Sequence, residues 1–236
     1  MQNVVIFGAS GHGSVVLDCI EKEAKYKVVG FIDSFEEKGT KVNGYTILGS
    51  EYDLPFLIEK YQLLGGIIAI GDNWTRSLVV ERILKIAPKF NYISAVHPNA
   101  QLGKDVQIGM GSVVMPGVTI NANAVIGNHC ILNTNSSLDH DGYMSNFSSL
   151  APNVCVGANF ILGKGSAICL GANIIENITI GPHAVVGAGS LVVGNVTDHV
   201  LVYGAPAKVI KKRIASEPYL SGKKTSSPVT LLAKKI

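Results

Sequence analysis

No apolar run in this chain approaches the ~20 residues a helix needs to cross a bilayer, although hydrophobic residues make up 47% of it. Charge is scarce and balanced, with 16% of residues charged and 20 Lys+Arg against 17 Asp+Glu. A nucleic-acid surface needs a clustered basic face, so this balance excludes nucleic acid as a partner. The small positive excess falls after residue 206, in Lys208, Lys211, Lys212, Arg213 and later lysines, and reads as a solvated end. Cysteine is sparse, and Cys19, Cys130, Cys155 and Cys169 stand in no CxxC or other metal-ligand spacing. Reduced, packed thiols and no metal are the expectation for such a set. The opening residues, MQNVVIFGASGHG, enter a strand at once without a basic n-region or cleavage site, which predicts a mature cytoplasmic protein.

What the sequence does have is a repeat. From Val96 to Val192 every sixth residue is aliphatic: Val96, Leu102, Ile108, Val114, Ile120, Ile126, Leu132, Leu138, Met144, Leu150, Val156, Leu162, Ile168, Ile174, Ile180, Val186 and Val192. With about one residue in three aliphatic, chance would give such a series with a probability on the order of 10⁻⁸. The residue four places on is small or modestly apolar, as in Ala100, Val106, Ser112, Val118, Ala124, Cys130 and Ser136. Neither the 3.6-residue period of a helix nor the two-residue period of a strand produces six. A triangular solenoid does: each hexad supplies one short strand and a turn, and three hexads close a coil. The series predicts between five and six coils and, at ~4.8 Å per strand, a prism roughly 27 Å tall. Solenoid ends need caps. The rule fails at Asp198, and VYGAPAKVIKKRI, with Pro206, predicts a loop leading into a short basic helix as the cap.

Residues 1–93 differ in texture. NVVIFG, KVVGFID and LGGIIAIGDN read as buried strands; GASGHGSVVLDCIEK, the stretch Glu51–Leu63 and NWTRSLVVERILKIA read as helices. Alternating strands and helices predict a small parallel sheet. The expected plan is therefore a Rossmann-like α/β unit over 1–93, a left-handed parallel β-helix over 94–200, and a C-terminal cap and basic tail over 201–236, with the tail from about Ser216 lying free or over a neighbour.

Among six histidines, His129 and His183 fall in a surface-turn slot three places after an inward aliphatic residue, and His97 and His199 flank the solenoid ends. His140 differs. It sits two places after Leu138, and the matching positions one coil away on either side are Ala122 and Ala158, which leaves space beside the imidazole. Asp139 and Asp141 flank it, and a carboxylate that orients one ring N–H raises the basicity of the other nitrogen. His140 is the candidate general base.

The hexads, with LGKGSAI, IGPHAVVGAGSLVV and YGAPAKVI, resemble the hexapeptide-repeat acyltransferases. GASGHG, FID, IGDN and NTNSSLDHD together resemble the sugar acetyltransferases within them: the bacillosamine- and perosamine-type nucleotide-sugar N-acetyltransferases and the sialic acid O-acetyltransferases. The resemblance implies acetyl-CoA as co-substrate, no metal, and His140 as base tuned by Asp141. It implies that Asn133 lies near the reacting amine or hydroxyl. It implies that Ser10, Gly11, His12, Asp33, Ser34 and Gly71 hold a nucleotide-sugar, the diphosphate lying on the glycine turn at a helix N-terminus. Relatives often have two acids where this chain has Asp33-Ser34, and a second histidine where it has Ser149; Ser149, Leu170 and Ala188 are the acetyl-CoA positions. A homotrimer with sites between subunits is implied as well. The activity expected is N-acetylation of a nucleotide-linked amino sugar, such as a 4-amino-4,6-dideoxy sugar, in surface glycan synthesis. The alternatives are O-acetylation of a sialic-acid-like sugar and a non-catalytic scaffold.

Overall fold

The computed structural model describes residues 1–220. Its first part is an α/β unit: β1 (Gln2–Phe7), α1 (Gly11–Glu23), β2 (Tyr26–Ile32), β3 (Lys41–Val42), β4 (Tyr45–Gly49), α2 (Leu54–Tyr61), β5 (Leu63–Ile68) and α3 (Asn73–Ile86). The strands form one sheet in the order β3-β4-β2-β1-β5. β1 pairs parallel with β2 and β5, β2 parallel with β4, and only β3 runs antiparallel. Val4, Val5, Ile6 and Phe7 are all buried, which is why β1 reads as an unbroken apolar run: a parallel strand covered on both faces has no solvent side. The β3–β4 hairpin was not anticipated. Glu51–Asp53 form a 3₁₀ turn closed by the Ser50–Asp53 capping box, so α2 starts at Leu54 and ends before β5.

Two glycines permit the tight passage from β1 into α1. Gly8 has φ +103°, and a Cβ there would come within 2.9 Å of the Ala69 carbonyl oxygen; a Cβ on Gly13 would sit 2.2 Å from the Gly8 oxygen.

The second part is the solenoid. Two-residue strands from β6 (Ala95–Val96) to β22 (Leu191–Val192) begin at every sixth residue, and the expected aliphatic residue is the second of each. Each strand from Ala95–Val96 to Asn173–Ile174, all but those of the last coil, pairs in parallel with the strand eighteen residues on, as Ser137 with Cys155 and Leu138 with Val156. They stack into three faces: one begins with Ala95–Val96, one with Gln101–Leu102, one with Gln107–Ile108. Most inward residues are fully buried, whereas Leu102, in the first coil, is 44% exposed.

The turns repeat as strictly as the strands. Asp105, Asn123, His129, Asn135, Asp141, Phe147, Asn153, Asn159, Asn177 and His183 have φ between 50° and 61°, and Gly111, Gly117, Gly165, Gly171 and Gly189 fill the same slot. A left-handed residue every six turns the chain through each corner, and Gly, Asn, Asp and His tolerate it best. Phe147 is the exception.

The cap is not a helix. β23 (Val200–Gly204) adds in parallel to Val185–Val186, and β24 (Ala207–Lys212) folds back antiparallel on β23. The last strand of a solenoid face leaves a row of unpaired N–H and C=O groups, and pairing them overrides the helical reading of AKVIKKRI. Ser216–Leu220 return along the body toward the α/β unit; the tail beyond, residues 221–236, lies outside the described residues. Among the described residues no helix is long and apolar enough to cross a membrane.

Candidate active site

His140 occupies the turn between Ser137–Leu138 and Tyr143–Met144. The neighbouring coils place Ala122 and Ala158 beside it: Asp141 N–H donates to the Ala122 carbonyl at 3.0 Å and Asn159 N–H to the His140 carbonyl at 3.0 Å. Half of the imidazole remains open to solvent. Its Nδ1 lies 2.6 Å from Asp141 Oδ2. With Nδ1–H donating to that carboxylate, Nε2 carries the free lone pair, as a base requires. Asp141 sits in the left-handed turn slot at φ 58°, which carries its carboxylate back to the ring of the residue before it.

Two asparagines missed in the sequence hold both acids. Asn121 Nδ2 donates to Asp139 Oδ1 at 2.6 Å, and Asn123 Nδ2 to Asp141 Oδ1 at 3.1 Å. The hydrogen bond to Asp141 raises the His140 pKa above its ordinary value, aided by the nearby Asp139 charge. Asp141 is lowered by its bond to His140 and then by Asn123, and Asp139 by Asn121 and the His140 backbone N–H. The signal available was the eighteen-residue spacing: Asn121 and Asn123 flank Ala122 just as Asp139 and Asp141 flank His140.

A cleft of about 620 Å³ lies between the α/β unit and the solenoid. It brings together His12 and Gly71 from the first and Asn133, Ser149, Leu170 and Ala188 from the second, and Tyr203, Lys211, Arg213 and Tyr219 close its far side. Ser10, Gly11, Asp33 and Ser34 are not among its walls, nor are His140 and Asp141. The cleft runs along the face that begins at Ala95, whereas His140 turns the corner between the other two faces.

His12 Nε2 is buried and has no hydrogen-bond partner among the described residues. Burial first, and then the Arg76 charge, bring the His12 pKa down to about 4, so its ring is neutral at physiological pH. Gly11 is open, with nothing within 4 Å of a Cβ there, and Ser10 precedes α1 with its hydroxyl making no cap bond. Asp33 pins the glycine turn from below: Oδ2 accepts from Ala9 N–H at 2.8 Å, and Oδ1 from Phe35 and Glu36 N–H at 2.8 and 3.2 Å. Ser34 donates to Glu51, which also pairs with Arg82.

Ser149 is buried and accepts from Asn73 Nδ2 at 3.1 Å. Tyr219 reaches the same place, its hydroxyl 3.3 Å from both Gly71 O, to which it donates, and Asn73 N–H, from which it accepts. Cys169 lines the cleft, but burial pushes its thiol up to about 11, so it is not a thiolate nucleophile.

His129 is not the surface-turn histidine its slot suggests, and His97, at the solenoid end, is buried as well. His129 is buried between Tyr92 and Phe147 where the α/β unit covers its turn, and burial followed by Arg76 brings its pKa down to about 4. His97 Nδ1 accepts from Asn99 N–H at 3.1 Å. His183 stacks on His199 with ring centroids 5.1 Å apart, and burial, then His199, lower its pKa. Among the described residues no group of three or more His, Cys, Asp or Glu is placed to hold a metal.

The PglD N-terminal domain family matches residues 3–83, and the bacterial transferase hexapeptide (six repeats) matches residues 99–134. GDP-perosamine N-acetyltransferase of Escherichia coli O157:H7 is 29% identical over 210 residues, 85% of this chain and 82% of that protein. A histidine-to-alanine mutant of GDP-perosamine N-acetyltransferase from Caulobacter crescentus, solved with CoA and GDP-perosamine, is 32% identical. It superposes with a TM-score of 0.83 over 90% of this chain and 98% of its own. The acetyltransferase domain of PglB from Neisseria gonorrhoeae FA1090, solved with acetyl coenzyme A, is 28% identical, with a TM-score of 0.80 over 89% and 99% of the two chains.

Proposed function

The chain belongs to the hexapeptide-repeat sugar N-acetyltransferases with a PglD-type N-terminal domain, and we propose that it moves the acetyl group of acetyl-CoA onto the amine of a nucleotide-linked amino sugar. One observation carries this reading to the chain's own residues. A single cleft joins a buried histidine nitrogen of the α/β unit, without a partner among the described residues, to Asn133, Ser149, Leu170 and Ala188 of the solenoid. That is room for two substrates meeting end to end, one gripped from each side.

The nucleotide diphosphate is assigned to the turn Gly8–Gly11, where the first N–H groups of α1 point outward without partners in the helix. The neutral His12 and Gly71 face the sugar side, and Asp33 acts through the turn it pins. Asn133 is assigned to the reacting amine, and Ser149, Leu170 and Ala188 to the acetyl-CoA that carries the thioester.

In the reaction, the neutral amine of the sugar attacks the thioester carbonyl, and His140 Nε2 takes a proton from that nitrogen as the N–C bond forms. Backbone N–H groups stabilise the tetrahedral oxyanion. The imidazolium, held by Asp141, returns the proton to the departing sulfur of CoA as the C–S bond breaks. No acyl-enzyme is required, consistent with the protonated Cys169.

His140 stands on a different corner from the cleft of its own chain, so the reading assigns the base to a neighbouring copy. A homotrimer packed side by side supplies that arrangement. Its place of work is the cytoplasm, in surface glycan synthesis.

The test is turnover: purified protein with acetyl-CoA and a panel of 4-amino nucleotide sugars carrying UDP, GDP or dTDP. Release of CoA with one of them, and N-acetylated product by mass spectrometry, is expected. CoA release only with hydroxyl acceptors would replace this reading by O-acetylation, and no transfer to any acceptor would leave a scaffold.

A further inference from the structure

We infer that Arg76 is a positioning residue: it fixes the loop Ile70–Asn73 against the solenoid and so sets the nucleotide-sugar wall of the cleft. The inference rests on the reading of that cleft given above.

Arg76 is 1% exposed and has all five of its N–H donors matched to five acceptors. Nε donates to the His129 carbonyl at 2.9 Å. Nη1 donates to the Ile70 and Gly71 carbonyls at 2.8 and 3.1 Å. Nη2 donates to Asn73 Oδ1 at 2.6 Å and to the Phe147 carbonyl at 3.3 Å. None of the acceptors is a carboxylate. Two units that needed only to adhere would gain more from an apolar side chain, because a buried charge without a counter-charge is expensive. What the guanidinium provides is direction.

The acceptors divide between the two units. Ile70 and Gly71 lie in the loop before α3 and Asn73 opens that helix; His129 and Phe147 occupy the same turn slot in successive coils of the solenoid. Gly71 lines the cleft. Asn73, gripped through its oxygen by Arg76, uses its amide nitrogen on Ser149 Oγ at 3.1 Å and on the Ser166 carbonyl at 3.0 Å. A chain of directed bonds thus runs from Arg76 through the loop to the acyl side of the cleft.

Phe147 adds a second, independent observation. It is the one bulky apolar residue in the left-handed turn slot, at φ 61°, a conformation costly for such a side chain. Its ring stacks on His129 at 5.0 Å between centroids, 7° from parallel. The strained turn therefore aims its carbonyl at Arg76 while the ring secures the neighbouring acceptor. Lysine lacks the planar fork and cannot reproduce the five bonds.

The experiment uses the full-length protein and the variants R76K, R76M and N73A. Steady-state kinetics should show KM for the nucleotide-sugar rising about tenfold or more in R76K, in line with what a displacement near 1 Å can cost. KM for acetyl-CoA should change far less. Loss of folded protein alone would lower kcat and leave both KM values at the wild-type level, and that pattern overturns the inference. Hydrogen exchange decides independently of any ligand: the Gly71 and Asn73 amides should exchange at least tenfold faster in R76K, with Leu150 and Ile168 unchanged. Equal protection in the two proteins overturns it. If the wild type accepts no nucleotide-sugar, the cleft reading falls, and exchange still decides for or against positioning. Should R76M fail to fold, R76K carries both measurements, and the milder N73A carries the exchange at Gly71.

Discussion

His140 Nδ1 lies 2.6 Å from Asp141 Oδ2, and Asn123 from the preceding coil donates to the other oxygen of the same carboxylate. The acid is thus aimed from one side by its left-handed backbone and from the other by an amide, and the imidazole is left with one possible outward nitrogen.

That geometry sets a pH profile. The Asp141 bond raises the His140 pKa, so the base is protonated, and activity lost, as pH falls through a value above 6.5. Replacing Asp141 by Asn removes the main cause of the shift. The acid limb of kcat/KM should then move to lower pH, while the plateau falls by roughly 10- to 100-fold, since an amide no longer selects the tautomer. A limb that stays in place would detach Asp141 from the base.

The repeat makes a stability prediction within one slot. Leu150 is fully buried and Leu102 is 44% exposed, though both are inward hexad residues. Leu150→Ala should cost about 2–5 kcal/mol, as buried leucines do, and Leu102→Ala less than about 1 kcal/mol, because it opens no cavity. Urea unfolding of the two variants checks it; equal losses would mean that the first coil is covered in solution.

Cys169 lines the cleft with its thiol pushed up to about 11. Cys169→Ser should keep kcat within a few-fold, and initial-rate plots against both substrates should intersect, as a ternary complex requires. Parallel, ping-pong lines with loss of activity in the serine variant would point to an acyl-enzyme on Cys169.

If the base and the cleft come from different copies, two dead variants can rescue each other. Subunits carrying His140→Ala and subunits carrying Asn133→Ala, mixed equally and reassembled, should regain about a quarter of wild-type sites by random association in a ring. No recovery after verified mixing would place the whole site within one chain.

How much of this was legible follows from where each constraint acts. The hexad residues point into a core only one side chain wide, so the core itself imposes the period, and the solenoid could be read from Val96 to Val192. His140 stood out because Ala122 and Ala158 lie eighteen residues away. Asn121 and Asn123 obey the same arithmetic and were legible too, had the acids rather than the histidine been traced. Arg76 was not: in NWTRSLVVERILKI it has the look of any solvated helix residue, and only the docking of α3 on the solenoid buries it. Tyr219 and Asn73 are hidden for the same reason, being contacts across 146 residues of chain. AKVIKKRI became a strand because an open sheet edge preceded it, a demand absent from its own residues.

The most direct test of the account is the turnover number of His140→Ala with acetyl-CoA and the accepted nucleotide-sugar, measured on protein whose thermal unfolding and oligomeric state match the wild type. The account predicts a loss in kcat of at least ~10²-fold, the low end for removal of a general base, with KM values little changed. A loss of only a few-fold would contradict it.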